Sequence, residues 1–90
     1  MNKVKLVLKK RNRGYGIITW TSKSDLEIKS LLELKVMVDI KVDDIVIGIR
    51  KISYKYRRFS LGKEEIQKYL PNDEIYLMMK NNYLIISQKP

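Results

Sequence analysis

Ninety residues suffice for one small domain with a modest core and are too few for two. Apolar residues make up 44% of the chain, which marks it as folded, while the lack of Cys and His removes disulfides, thiolate chemistry, the usual general base and the usual transition-metal ligands. The formal charge is +9 with a sequence pI near 9.8, and it is uneven: residues 1–30 hold eight Lys/Arg against Asp25 and Glu27, whereas residues 61–90 are neutral.

That asymmetry points to a basic face and an anionic partner. No stretch approaches the roughly 20 apolar residues of a bilayer span. No apolar segment of the signal-peptide type follows Lys3 and Lys5, so the expected location is cytoplasmic. Alanine is absent, and branched and aromatic residues stand in its place, which favours sheet over helix.

In chain order, Val4, Leu6 and Leu8 alternate with Lys5, Val7 and Lys9, the period of a half-buried strand over 4–10. Arg11-Asn12-Arg13-Gly14 reads as a turn and residues 15–20 as a second strand, closed by Trp20. Ser24, or Ser22 with Asp25, carries helix-start chemistry, and Ile28, Leu31 and Leu32 form one face of a short helix. Val36, Val38, Ile40 and Val42 alternate in a strand that ends at an Asp43-Asp44 turn.

A long strand follows over 45–53, in which Gly48 marks a bulge or a close backbone approach. Tyr54-Lys55-Tyr56 bends the chain, and residues 57–61 form a short strand. Ile66, Tyr69 and Leu70 give a second helix face, which Pro71-Asn72-Asp73 stops. Strands over 74–80 and 83–88 flank Asn81-Asn82, a tight-hairpin signal.

These landmarks recur. Ile28-Leu31-Leu32 maps onto Ile66-Tyr69-Leu70, and the Asp43-Asp44 turn maps onto Asn81-Asn82 at the same offset. The expected object is one domain over 1–90 with an internal repeat of about 3–48 and 49–88, each copy running strand, basic turn, strand, short helix, hairpin. The fold class is mainly β with two short helices, a β-rich α+β protein closed into a small barrel.

The second copy resembles the AbrB/MazE/SpoVT swapped-hairpin family. The resemblance rests on the segment from Ile49 to Leu61, on Glu65-Ile66-Gln67-Lys68-Tyr69-Leu70, and on Asp73-Glu74-Ile75-Tyr76-Leu77. Arg58-Phe59-Ser60-Leu61 is similar to the family's Arg-led strand and Asn72-Asp73 to its Gly-Asp step; Lys9, Lys10, Arg11, Arg13 and Ile17-Ile18-Thr19 resemble the same pattern in the first copy. The resemblance implies a swapped-hairpin barrel, or a related double-psi-like one, built here from two ββαββ units in one chain. Such a chain is a monomeric pseudo-dimer or pairs again as a homodimer. The family resemblance also implies DNA binding through basic residues at loops and strand edges.

No enzyme is expected, since Ser22, Ser24, Ser53 and Ser60 have no base to activate them. No cofactor or metal is expected either. Asp39, Asp43 and Asp44 read as a charged hairpin, and Gly14-Tyr15-Gly16 lacks the length and the Lys-Ser/Thr of a phosphate loop.

Phosphates take Lys and Arg for counterion release, and Arg adds bidentate pairing with phosphate or guanine. Arg11, Arg13, Arg50, Arg57 and Arg58 are therefore the candidate contacts, with Lys9, Lys10, Lys51 and Lys55 in support. Tyr54 and Tyr56, and also Tyr15, interleave with these charges as candidate stacking groups. The expected function is duplex-DNA binding by a transcriptional regulator or chromatin-associated factor. The rivals are a protein-interaction module of antitoxin or adaptor type and an RNA-binding subunit of a ribonucleoprotein.

Overall fold

The alternation at the N-terminus is realised in the computed structural model, which describes residues 3–90. Strand β1 (Val4–Val7) buries Val4 and Leu6 and exposes Lys5 and Val7. The next element corrects the expectation of a turn. Residues Lys10–Tyr15 form a helix, α1, which begins where β1 leaves the sheet. Lys and Arg favour helix, and Gly16, not Gly14, supplies the left-handed residue that ends it, at φ 69°.

Strand β2 (Ile17–Thr19) follows, then a 3₁₀ turn (Ser22–Ser24) leading directly into α2 (Asp25–Leu32). Ser24 stands at the N-cap of α2 but makes no side-chain cap, and the Ser22–Asp25 spacing forms no capping box. Asp25 is engaged elsewhere: its carboxylate accepts from Trp20 Nε1 at 2.9 Å and from Arg57 Nε at 2.9 Å.

Strands β3 (Met37–Val42) and β4 (Ile45–Lys51) form an antiparallel hairpin. Their register slips between Ile40 and Lys41, opposite Gly48 at φ 127°, so of the two readings of that glycine the bulge is realised. The second half runs β5 (Arg58–Ser60), α3 (Lys63–Tyr69), β6 (Glu74–Lys80) and β7 (Tyr83–Ser87). Asn81 and Asn82 both have positive φ, 53° and 65°, as a tight primed hairpin turn requires.

The strands build an open five-stranded sheet, β1-β6-β7-β3-β4, and a separate two-stranded sheet, β2-β5. The expected closed barrel is not formed. Strands β2 and β5 are only three residues each and pair with one another, so β1 and β4 remain as open edges. The order strand, helix, hairpin occurs twice, as β2-α2-β3-β4 and β5-α3-β6-β7. The two hairpins lie side by side through a parallel contact of β3 with β7. The fold is thus strand-rich α+β with three α-helices where two were expected.

One face of the large sheet carries the core: Val4, Leu6, Val38, Ile40, Val42, Ile75, Leu77, Leu84 and Ile86 are buried. Ile18 and Phe59 of the small sheet, and Ile28, Leu32, Ile66 and Leu70 of the helices, complete it. No polar residue is buried among the described residues, so the core is held by apolar burial alone.

Gly16 locks the small sheet to α3. Its carbonyl accepts from both Leu61 N (2.8 Å) and Gly62 N (3.0 Å), and a Cβ at Gly16 would lie 2.4 Å from Lys63 N. No helix among the described residues is long and apolar enough to cross a membrane.

Candidate nucleic-acid interface

The two basic runs meet because β2 pairs with β5. The register sets Thr19 opposite Arg58, and Asn12 of α1 donates to Thr19 Oγ1 at 2.7 Å. Lys9 and Arg11 from the first run and Arg58 from the second thereby line one groove of about 700 Å³, together with Lys5 of β1. No carboxylate stands among its lining residues. The apolar and polar walls come from Leu6, Val7, Ile17 and Trp20 and from Asn12, Thr19, Thr21 and Ser24.

The backbone contributes as well. Leu8 N donates to Asp73 O, so the polar groups of Val4, Leu6 and Leu8 turn toward β6 and those of Lys5 and Val7 turn away from it. Trp20 N donates to Arg57 O and Leu61 N to Gly16 O, so the polar groups of Ile18 face β5 while those of Ile17 and Thr19 face away. Two free strand edges therefore border the groove.

The candidate arginines divide into two kinds. Arg13 is turned inward, only 18% exposed as a side chain, with Nε on Asp73 Oδ1 at 2.9 Å and its terminal nitrogens donating to Leu70 O and Asn72 O. It caps the C-terminal end of α3, whose last carbonyls have no partner within the helix. Arg57 has φ 54° and grips both oxygens of Asp25 at 2.9 and 3.0 Å, pinning the second basic turn to the start of α2. The hydrogen bond and charge of Arg57 hold the Asp25 carboxyl below the usual carboxylate range, and the same bond raises Arg57.

Arg50 is half-buried and donates to the carbonyls of Ile49 (3.1 Å) and Leu61 (3.4 Å). These three arginines direct their side-chain hydrogen bonds into the protein itself. Arg11 and Arg58 are exposed and, among the described residues, pair with no carboxylate.

The tyrosines divide in the same way. Tyr54 donates to Lys35 O at 2.5 Å and meets Trp20 edge-on at 6.3 Å between centroids, and its burial pushes the phenol up. It packs against the core instead of standing exposed. Tyr56 is 62% exposed, with the Arg58 guanidinium 5.3 Å and Lys55 Nζ 5.4 Å from its ring centroid. Tyr15 is 64% exposed, with the Arg11 guanidinium 5.9 Å away. Tyr15 lines the groove, whereas Lys10, Lys51, Lys55 and Tyr56 are exposed but lie outside its lining.

Lys5, Asn12 and Thr19 are groove residues that the basic runs alone do not single out. The strand alternation exposing Lys5 was the one available signal. Lys5 also pairs with Glu74 at 3.1 Å, which raises its ammonium pKa.

Comparison of the chain with protein families, characterised proteins and solved structures finds no match. The groove itself is therefore the ground for assigning a function.

Proposed function

We propose that this protein binds nucleic acid, with DNA the first candidate, along the groove between β1, α1 and β2. The single observation that carries the reading is the convergence of Lys9, Arg11 and Arg58, from two distant runs, on one recess without a carboxylate. Such a recess attracts a polyanion and gains affinity from released counterions. The likeness of residues 49–77 to the AbrB/MazE/SpoVT pattern agrees with this reading and suggests a regulator of transcription or a chromatin-associated factor as its setting. A gel-shift titration tests it. Labelled DNA should shift at about 50 mM salt, be released as salt rises, and bind severalfold more weakly to Arg11→Gln and Arg58→Gln. No shift at low salt would refute the reading.

The free edges of β1 and β2 favour a second reading, an interaction module that takes an extended acidic peptide as an added strand. The basic lining would select its charge. A nuclease-insensitive complex with an acidic peptide, unaffected by competing DNA, would favour that reading over the first.

A further inference from the structure

We infer that the ligand of the groove is an unpaired strand of nucleic acid, its bases stacked on Tyr15 and Tyr56 and its phosphates held by Arg11 and Arg58. The inference rests on the nucleic-acid reading above. Tyr15 and Tyr56 are the two most exposed aromatic side chains, at 64% and 62%, and neither hydroxyl makes a hydrogen bond among the described residues. Each ring is paired with a guanidinium, 5.9 Å from Arg11 to Tyr15 and 5.3 Å from Arg58 to Tyr56. One pair comes from each basic run: Tyr15 lines the groove itself, and Tyr56 extends it from outside the lining, beside the groove residue Arg58. Tyr54, only two residues from Tyr56, is packed on the core, so exposure here is a property of position and not of residue type.

An exposed aromatic ring with a cation beside it offers a stacking platform to an unpaired base. Within a duplex the base faces are covered by their neighbours, and a protein reaches only edges and phosphates. The alternative of a helix read into a duplex fails on length and charge. Helix α1 has 6 residues, about 9 Å at 1.5 Å per residue, and one of its two arginines is turned inward onto α3. A concave, positively lined recess between two strand edges suits an extended chain. Positive lining with aromatic platforms is the combination that holds single strands with little sequence preference.

Fluorescence anisotropy at about 50 mM salt, with labelled strands of about 12 nucleotides in DNA and RNA form, a duplex of equal length and an oligoglutamate peptide, tests the inference. The single strand, as DNA, RNA or both, should bind at least about tenfold tighter than the duplex. Tyr15→Leu and Tyr56→Leu should each weaken single-strand binding roughly tenfold, leave the duplex unchanged and melt like the parent protein. Duplex binding as tight as single-strand binding, or tyrosine variants that bind like the parent while Arg58→Gln binds more weakly, overturns the single-strand inference and leaves the nucleic-acid reading intact. Absence of binding to every nucleic acid, or oligoglutamate bound as tightly as the strands, overturns both.

Discussion

Arg13 and Arg58 are the same residue type in the two basic runs, and the structure gives them opposite consequences. Arg13→Met keeps most of the apolar stem but deletes the bonds to Asp73, Leu70 and Asn72. Hydrogen bonds that involve a charged group contribute about 1.5–3 kcal/mol each. Asn72 and Asp73 are exposed and can be rehydrated, whereas Leu70 is buried, so most of the loss falls on one carbonyl. The expected cost is about 2 kcal/mol, or roughly 8–16 °C in Tm for a domain of this size. Arg58→Gln changes an exposed residue that, among the described residues, hydrogen-bonds through its backbone and not its side chain, and should change stability by less than about 0.5 kcal/mol.

Binding should show the reverse. Arg58→Gln weakens nucleic-acid affinity, while Arg13→Met, measured well below its Tm, binds like the parent protein. Thermal melts by circular dichroism and anisotropy titrations on both variants decide the matter. The reasoning is refuted if Arg13→Met melts with the parent, or if Arg58→Gln loses as much Tm as Arg13→Met.

Two glycines in the same segment should respond to alanine with opposite signs. Gly14 lies inside α1 with nothing within 4 Å of the place a methyl would take, so Gly14→Ala should raise stability by about 0.5–1 kcal/mol. Gly16→Ala meets Lys63 N at 2.4 Å in a left-handed conformation, and should cost about 3 kcal/mol or prevent folding. Urea unfolding of both variants checks the pair, and equal signs would contradict it. The Asp25 carboxyl is held down in the folded state, first by its bond to Arg57. The folded protein therefore favours the ionised form, and this contribution is complete above about pH 4 and lost as pH falls through the lowered value. Asp25→Asn should flatten that part of the acid limb in urea midpoints taken from neutral pH to about pH 2, and parallel curves below about pH 4 would contradict the assignment.

Much of the sheet was legible because its signal is local. Alternation set the faces of β1 and β3, Gly48 announced a bulge or a close backbone approach, and Asn81-Asn82 announced the hairpin. The apolar spacing of Ile28 and Leu32, and of Ile66 and Leu70, placed α2 and α3. Helix α1 was not legible, since Asn12 and Gly14 carry turn signals and its support comes from Thr19 and from the end of α3.

The roles of the arginines were hidden for the same reason. Nothing within the basic runs tells Arg13, whose partners lie 57 to 60 residues away, from Arg11, which has none among the carboxylates. The side chain of Arg57 is told from that of Arg58 by its bond to Asp25, 32 residues earlier. The open sheet was missed because the repeat predicts which elements occur, and strand pairing decides where they go. The pairing of β2 with β5 brings the two basic runs to one groove.

The most direct test of that convergence is the salt dependence of single-strand binding for the parent protein and for Arg11→Gln/Arg58→Gln. Each phosphate contact contributes about 0.7 to the slope of log affinity against log salt for a single strand. If both arginines hold phosphates in one groove, the double variant should lose about 1.4 from the slope, with affinity reduced and the melting curve retained. An unchanged slope in a folded double variant would contradict the account.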